Sequence, residues 1–147
     1  MIRTRRIDII SGLTIFVLGL VAGMASGGAS LALAQSSDRV FELRTYTTHP
    51  GRLDALHDRF SQHTIRLFER HGMVNIGYFT PQDPPEAGNT LVYLLAHDSR
   101  EAAAASWQAF IADPEWQAVY SESRADGPIV EKLDSVFMNP TAYSQVR

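Results

Sequence analysis

The sequence predicts an α+β domain with the element order β-α-β-β-α-β, and three observations support this order. First, residues 39–46 alternate in side-chain chemistry as a strand does, and Pro50-Gly51 then marks a turn into an apolar stripe with helical spacing. Second, two strand-like runs flank a proline-rich loop at residues 80–89. Third, an alanine-rich helical stretch precedes a last strand. We therefore expect a ferredoxin-like, four-stranded antiparallel sheet.

The individual elements follow from local signals. The first helix carries its apolar stripe at Leu53, Leu56, Phe60, Leu67 and His71, with Ile65 and Phe68 widening it, and Gly72 is a plausible left-handed stop. Strands are predicted at residues 74–79, 90–96 and 130–138, and the almost wholly apolar run 90–96 indicates a strand covered on both faces. Asp98 and Glu101 resemble a capping box for a helix over residues 102–112. Asp113-Pro114 then caps a short helix.

The first 34 residues have the pattern of an export signal. Arg3, Arg5 and Arg6 precede an apolar, glycine-rich run, and residues 32–34 supply the small-x-small pattern that a signal peptidase recognises. We favour cleavage after Ala34 over an uncleaved inner-membrane anchor, while the twin-arginine and general secretory routes both stay open. The sequence therefore predicts an exported protein, periplasmic or secreted, that meets a membrane only through this segment if it is not cleaved.

Residues 35–38 are predicted to form a polar linker ahead of a single domain at residues 39–144. The whole chain has a formal net charge of −3, which becomes −5 without the three arginines and one aspartate of the first segment. An acidic domain argues against a nucleic-acid partner, because phosphate binding needs a basic footprint. The chain has no cysteine, which excludes disulfides, a thiol nucleophile, thiolate metal sites and a lipoprotein anchor.

The first strand has two chemically different faces. One carries Phe41, Leu43 and Thr45, and the other carries Val40, Glu42, Arg44 and Tyr46. We expect the helices to cover the Phe41 side, so that Glu42, Arg44 and Tyr46 lie on the open side with Tyr93 and either Tyr78 or Phe79. Such an open side is too aromatic to face only water, and we expect it to pair with a second copy and enclose a cavity.

Several segments in this order resemble the NIPSNAP family. They are Phe-Glu-Leu-Arg-Thr-Tyr at residues 41–46 with Pro50-Gly51, then Gly-Tyr-Phe at 77–79 and Asp-Pro-Glu-Trp at 113–116, with a similar closing segment at 138–144. Phe79 departs from the pattern, because related sequences often carry Trp there, and export departs from the better-known intracellular members. The resemblance implies a homodimeric α/β barrel built from two ferredoxin-like protomers. It implies binding or protein-interaction roles and no shared reaction.

Arg44 is the sharpest candidate for a ligand contact. On an inward face it could bind a carboxylate or enolate in a bidentate manner, or it could form a salt bridge to Glu42 on the same face. Tyr46 could donate a hydrogen bond at the mouth of a cavity or pack as an interface aromatic. The same two interpretations apply to Tyr78 and Tyr93, and Trp116 is expected to be a packing anchor more than a ligand platform.

The histidines do not have the spacing of a metal site. His57, His63 and His71 are six and eight positions apart, so that no pair shares a helix face at i, i+4. We expect no metal and no cofactor. Two hypotheses remain. The preferred one is a dimeric module that binds a small organic ligand or a protein, and the alternative is a cofactor-independent monooxygenase or isomerase that uses Arg44 and Tyr46 on a small organic anion.

Overall fold

The computed structural model describes residues 39–147. The export-signal and linker predictions fall on residues 1–38 and lie outside this range. Four antiparallel strands form one sheet in the order β2-β3-β1-β4, which confirms the predicted ferredoxin-like fold. The strands are β1 (Val40–Thr48), β2 (Val74–Phe79), β3 (Thr90–His97) and β4 (Val130–Met138). Across residues 39–147, no helix is long and apolar enough to cross a membrane.

The helices are α1 (Leu53–Arg59), α2 (Ile65–Arg70), α3 (Arg100–Ala112) and α4 (Pro114–Glu122), and a 3₁₀ turn spans Glu86–Gly88. The single long helix predicted after Pro50-Gly51 is interrupted by a π-helical turn at Phe60–Thr64. Its stripe is as predicted, since Leu56, Phe60, Leu67 and Phe68 are buried. No sequence pattern predicted the π turn, because the turn keeps the same apolar face of the helix and adds only a local bulge.

Side-chain caps fix the starts of α3 and α4. Ser99 caps α3, since its hydroxyl accepts a hydrogen bond from the Ala102 amide at 3.1 Å, so the expected cap at Asp98 is wrong by one residue. Asp113 caps α4 as predicted, because its carboxylate accepts from the Glu115 amide at 2.8 Å. Either residue type satisfies a free amide at a helix start, which is why sequence spacing alone could not choose between Asp98 and Ser99.

The two faces of the sheet are the reverse of the expected arrangement. The helices cover the side of β1 that carries Glu42 and Tyr46, and Trp107 of α3 donates a hydrogen bond to Glu42 at 2.6 Å. Phe41 and Leu43 lie on the opposite side, which no helix covers. Strand periodicity separates two faces but does not say which one the helices meet. Charged residues can lie on this helix-covered face because side chains from other elements form hydrogen bonds to them there.

The core lies between the sheet and the helices and is rich in aromatic rings. Phe60 packs edge-on against Tyr93, which is fully buried on the helix side of β3, and Phe68 packs against the same ring at a tilt of 30°. The buried cluster comprises Leu56, Phe60, Leu67, Phe68, Met73, Leu91, Tyr93, Leu95, Phe110 and Ile129.

The uncovered face of the sheet is apolar and partly open. Phe79 is 60% exposed and Val136 is 54% exposed, and both belong to the face that carries Phe41 and Leu43. Residues 139–147 fold back over one part of this face and bury Phe41. Arg39 holds this tail, because its guanidinium donates to the Arg147 carbonyl at 2.8 Å.

Replacing Gly72 by Ala should destabilise the domain by about 1 kcal/mol. Gly72 ends α2 with a φ of +77°, a conformation that costs an L-residue roughly 1–2 kcal/mol. The added methyl group itself finds room, since its nearest neighbour is the Ser106 hydroxyl at 3.7 Å. Urea unfolding measures the change. Gly88→Ala is the matched control and should have little effect, because Gly88 has no positive φ and open space around it.

Candidate functional site

A buried carboxylate organises the interior beneath the helices. Glu42 of β1 is 1% exposed. One of its oxygens accepts hydrogen bonds from Arg44 and Ser135, both at 2.7 Å. The other accepts from Trp107 at 2.6 Å and lies 3.1 Å from the His97 imidazole. These donors come from β1, β3, β4 and α3, so that one side chain ties three strands to a helix.

The charge of Glu42 is stabilised by these donors. Burial alone would raise the pKa of the Glu42 carboxyl, but the hydrogen bonds from His97, Ser135, Trp107 and Arg44 lower that pKa to about 2. The carboxylate is therefore ionised at neutral pH despite being buried. Such a group cannot be a general base near neutral pH, because it binds a proton too weakly.

Arg44 is occupied as the partner of Glu42. Its guanidinium also lies 4.1 Å from the centre of the Trp107 ring and donates to the Tyr46 hydroxyl at 3.3 Å. These contacts compensate its burial, although its Nε atom has no hydrogen-bond partner. The salt-bridge interpretation of Arg44 therefore describes the structure better than the ligand-binding interpretation.

A cavity of about 290 Å³ lies between the helices and the β1–β4 side of the sheet. Its inner wall is built by buried aromatic residues, and its mouth lies beside α4 and the edge strand β4, where Tyr120, Glu131 and Leu133 are exposed. The rings that line it are Tyr46, Phe60, Phe68, Phe110, Trp116 and Tyr120. The cavity is concave, mostly apolar and aromatic, as small-molecule sites usually are.

Arg59 is the charged residue of this cavity's inner wall. It is 5% exposed, and its guanidinium lies 5.5 Å from the Trp116 ring and 5.7 Å from the Tyr120 ring. Its polar side-chain contact is a long one, 3.5 Å to the Ser123 hydroxyl. Burial lowers the pKa of Arg59 below its ordinary value. Arg59 is therefore a weakly compensated cation, whereas Arg44 has a carboxylate partner.

The π-helical turn positions this wall. Arg59 precedes the turn, and Phe60 and Thr64 are its first and last residues. The Thr64 hydroxyl donates to the Arg59 carbonyl at 3.1 Å, so it satisfies an oxygen that the widened turn leaves free. All three residues line the cavity. Single π turns inside α-helices are frequent at functional sites, and here one lies at the wall of the aromatic cavity.

The six residues singled out from the sequence separate into two groups. Tyr46 and Trp116 line the cavity. Glu42 and Arg44 form the buried ion pair, while Tyr78 and Tyr93 stack on each other at 5.5 Å within the core. The Tyr78 hydroxyl donates to Asn75, and burial raises the pKa of both phenols above its ordinary value, so both stay protonated.

Sequence reasoning missed the other cavity residues, and one signal for them was present. Arg59 lies three positions after Leu56 and directly before Phe60, so it belongs to the buried stripe of the first helix. A charged residue inside an apolar helical stripe needs a partner or a function. Phe60, Phe68 and Phe110 gave no such signal, because core packing explains an apolar residue on an apolar face.

The NIPSNAP family model matches residues 41–145, and the chain belongs to this family. The fold is similar to that of an uncharacterised NIPSNAP-like domain protein from Burkholderia xenovorans, at 22% identity and a TM-score of 0.64, over 74% of this chain and 90% of that one. It is also similar to a NIPSNAP family protein of unknown function from Agrobacterium tumefaciens, at 23% identity and a TM-score of 0.66, over 76% and 96% of the two chains. No curated protein matches the chain.

Glu42→Gln should change how stability depends on pH. Because the folded-state pKa of Glu42 is about 2 and its ordinary value is 4.5, its contribution is present above pH 4.5 and is lost as the pH falls towards 2. The shift corresponds to about 3 kcal/mol. Urea unfolding at pH 7, 4.5 and 3 should show the wild type losing more stability than the variant. Equal losses in both proteins would contradict a strongly stabilised carboxylate.

Proposed function

We propose that this NIPSNAP domain binds a small organic molecule in the aromatic cavity between the helices and the sheet. The observation that carries the proposal is a concave, aromatic cavity with the buried cation Arg59 in its wall. An apolar cavity with a few inward polar groups is the usual form of a small-molecule site. Its mouth between Tyr120 and Leu133 gives a route from solvent.

The cavity supports a binding role more than the enzymatic alternative. That alternative relied on Arg44 to stabilise an anionic substrate, and Arg44 is taken up by Glu42 and Trp107. Tyr46 lines the cavity, but its hydroxyl accepts from Arg44 and so belongs partly to the buried network. Glu42 is held ionised and buried, and its low pKa removes it as a base at neutral pH.

We also propose that the domain is exported and works as a homodimer. The uncovered face of the sheet supports pairing, because Val74, Phe79, Val136 and Met138 are each at least 37% exposed on it. An isologous dimer would place this patch against itself and remove it from water. The charged pair Lys132–Asp134 lies on the same face and is internally neutralised. The pattern predicted to be an export signal at residues 1–34 supports the proposed location.

Leu133→Trp should close the cavity mouth and abolish binding of a probe. Leu133 is 45% exposed at that mouth, so a larger ring is accommodated without disturbing the core. The probe is 6-propionyl-2-(dimethylamino)naphthalene, a two-ring dye whose fluorescence rises in an apolar site. We expect saturable enhancement in the wild type and in the control Leu133→Ala, and at least a tenfold loss in Leu133→Trp. Equal signals in all three proteins would place the dye elsewhere and refute the cavity as the site.

Val136→Lys should convert the dimer into a monomer, because it places a charge at the centre of the proposed apolar interface. The control is Ile111→Lys, which adds the same charge on α3 at a residue that is 60% exposed and outside the sheet face. Native mass spectrometry of protein purified from the exported fraction reads the oligomer and the processed N-terminus together. A monomeric wild type would refute the dimer, and retention of residues 1–34 would refute cleavage.

A further inference from the structure

Arg59 and Arg44 are both buried arginines, but their surroundings differ. Arg44 has a carboxylate 2.7 Å away. Among residues 39–147, Arg59 has no carboxylate oxygen within 4 Å. The Nε atoms of both arginines have no hydrogen-bond partner, so the difference between the two residues is the missing counter-charge at Arg59. A buried guanidinium without a counter-charge is costly, and a bound anion would relieve that cost.

The groups near Arg59 do not supply the missing negative charge. Glu131 is exposed at the cavity mouth, and Asp58, Glu122 and Asp126 line a solvent-filled cleft of about 400 Å³ that shares Arg59 with the cavity. All four carboxylates are solvated and more than 4 Å from the Arg59 nitrogens. Exposed carboxylates are screened by water, so they compensate a buried cation only weakly.

Other arginines add positive charge on the same side. Arg124 is exposed at the mouth, with its guanidinium 4.8 Å from the centre of the Tyr120 ring. Arg52 donates to the carbonyl oxygens of Ser123 and Gly127, both at 3.3 Å, and neutralises no carboxylate there. Exposed charges of both signs surround this end of the cavity and are screened by water, so the buried Arg59 dominates the field inside the cavity and favours a negatively charged group there.

The volume and the aromatic lining of the cavity limit the size and shape of the uncharged part of the ligand. A volume of about 290 Å³ is at the lower end of the usual range for small-molecule sites, roughly 300–1,000 Å³, so the ligand has one or two rings. Trp116 packs on Phe110 with ring centres 4.4 Å apart, and Phe60 meets Tyr46 edge-on at 6.0 Å. Rings in offset and edge-on arrangements pack well against a flat conjugated body.

We infer that the ligand of this cavity is a small aromatic carboxylate, with its rings among the aromatic side chains and its carboxylate against Arg59. A carboxylate suits this position because the planar guanidinium donates two parallel hydrogen bonds to it. The inference rests on the proposed function and narrows it from a small organic molecule to an anion of one chemical class. Glu131 at the mouth disfavours a second negative charge at the opposite end of the ligand.

Three matched probes test the inference by isothermal titration calorimetry on the processed protein. They are 1-naphthoate, neutral 1-naphthamide and cationic 1-naphthylmethylammonium, which share the ring system and differ in charge. We expect 1-naphthoate to bind about 10- to 100-fold more tightly than 1-naphthamide, and the ammonium compound to bind more weakly still.

Variants then test whether Arg59 causes the preference for 1-naphthoate over 1-naphthamide. Arg59→Met should weaken 1-naphthoate binding to the level of 1-naphthamide and leave 1-naphthamide binding within about twofold, because only the carboxylate loses a partner. Arg59→Lys keeps the charge and should retain a reduced preference for 1-naphthoate, which covers the case in which Arg59→Met does not fold. Arg100→Met is the control. It removes one positive charge beside Phe137, away from the cavity, and should leave the preference unchanged.

Each outcome decides a separate point. Equal binding of 1-naphthoate and 1-naphthamide to the wild type would overturn the inference and leave the binding function standing. A preference for 1-naphthoate that survives in Arg59→Met, or falls equally in Arg100→Met, would overturn the role of Arg59. If none of the three probes binds, both the inference and the proposed function fail.

Discussion

The rest of the structure depends on the burial of the Glu42 carboxylate. A buried charge is tolerated only if donors surround it, and here they come from four different elements. Trp107 fixes α3 over β1, and Ser135 fixes the neighbouring part of β4. The interaction therefore decides which face of the sheet the helices cover. It also explains why the apolar Phe41 and Leu43 lie on the outer face, where the tail at residues 139–147 buries Phe41.

The buried charges beneath the helices lie in two different environments, because Glu42 pairs with only one of the two buried arginines. Arg44 is matched in position and in charge by Glu42, so this part of the interior is closed and rigid. Arg59 lies farther along the helix layer, next to the aromatic cavity, and its positive charge is left without a close counter-ion in residues 39–147. One domain thus contains a compensated arginine with a structural role and an uncompensated one in a cavity wall. This contrast in chemical surroundings, rather than a sequence motif, distinguishes the proposed binding site from the core.

The position of β4 at the edge of the sheet gives the domain two separate apolar surfaces. On the helix side, Leu133 stays exposed because α4 does not close over the edge strand, and the cavity opens there. On the other side, Val136 belongs to the uncovered face that the tail covers only in part. The proposed ligand site and the proposed pairing surface therefore lie on opposite faces of the same strand, and a change on one face need not disturb the other.

The sequence by itself determined the element order, the strand boundaries of β2 and β4, the stop at Gly72 and the family, because these depend on local periodicity, turn residues and short motifs. Only the tertiary structure decided which face of β1 is inside. Strand alternation is symmetric in this respect, and the donors that allow Glu42 to be buried come from Trp107 and Ser135, far away in the chain. The sequence alone did not predict this cavity either. Its walls are core-type aromatics, and the buried Arg59 acquires its meaning from the absence of a nearby carboxylate among residues 39–147, which is a property of three-dimensional packing.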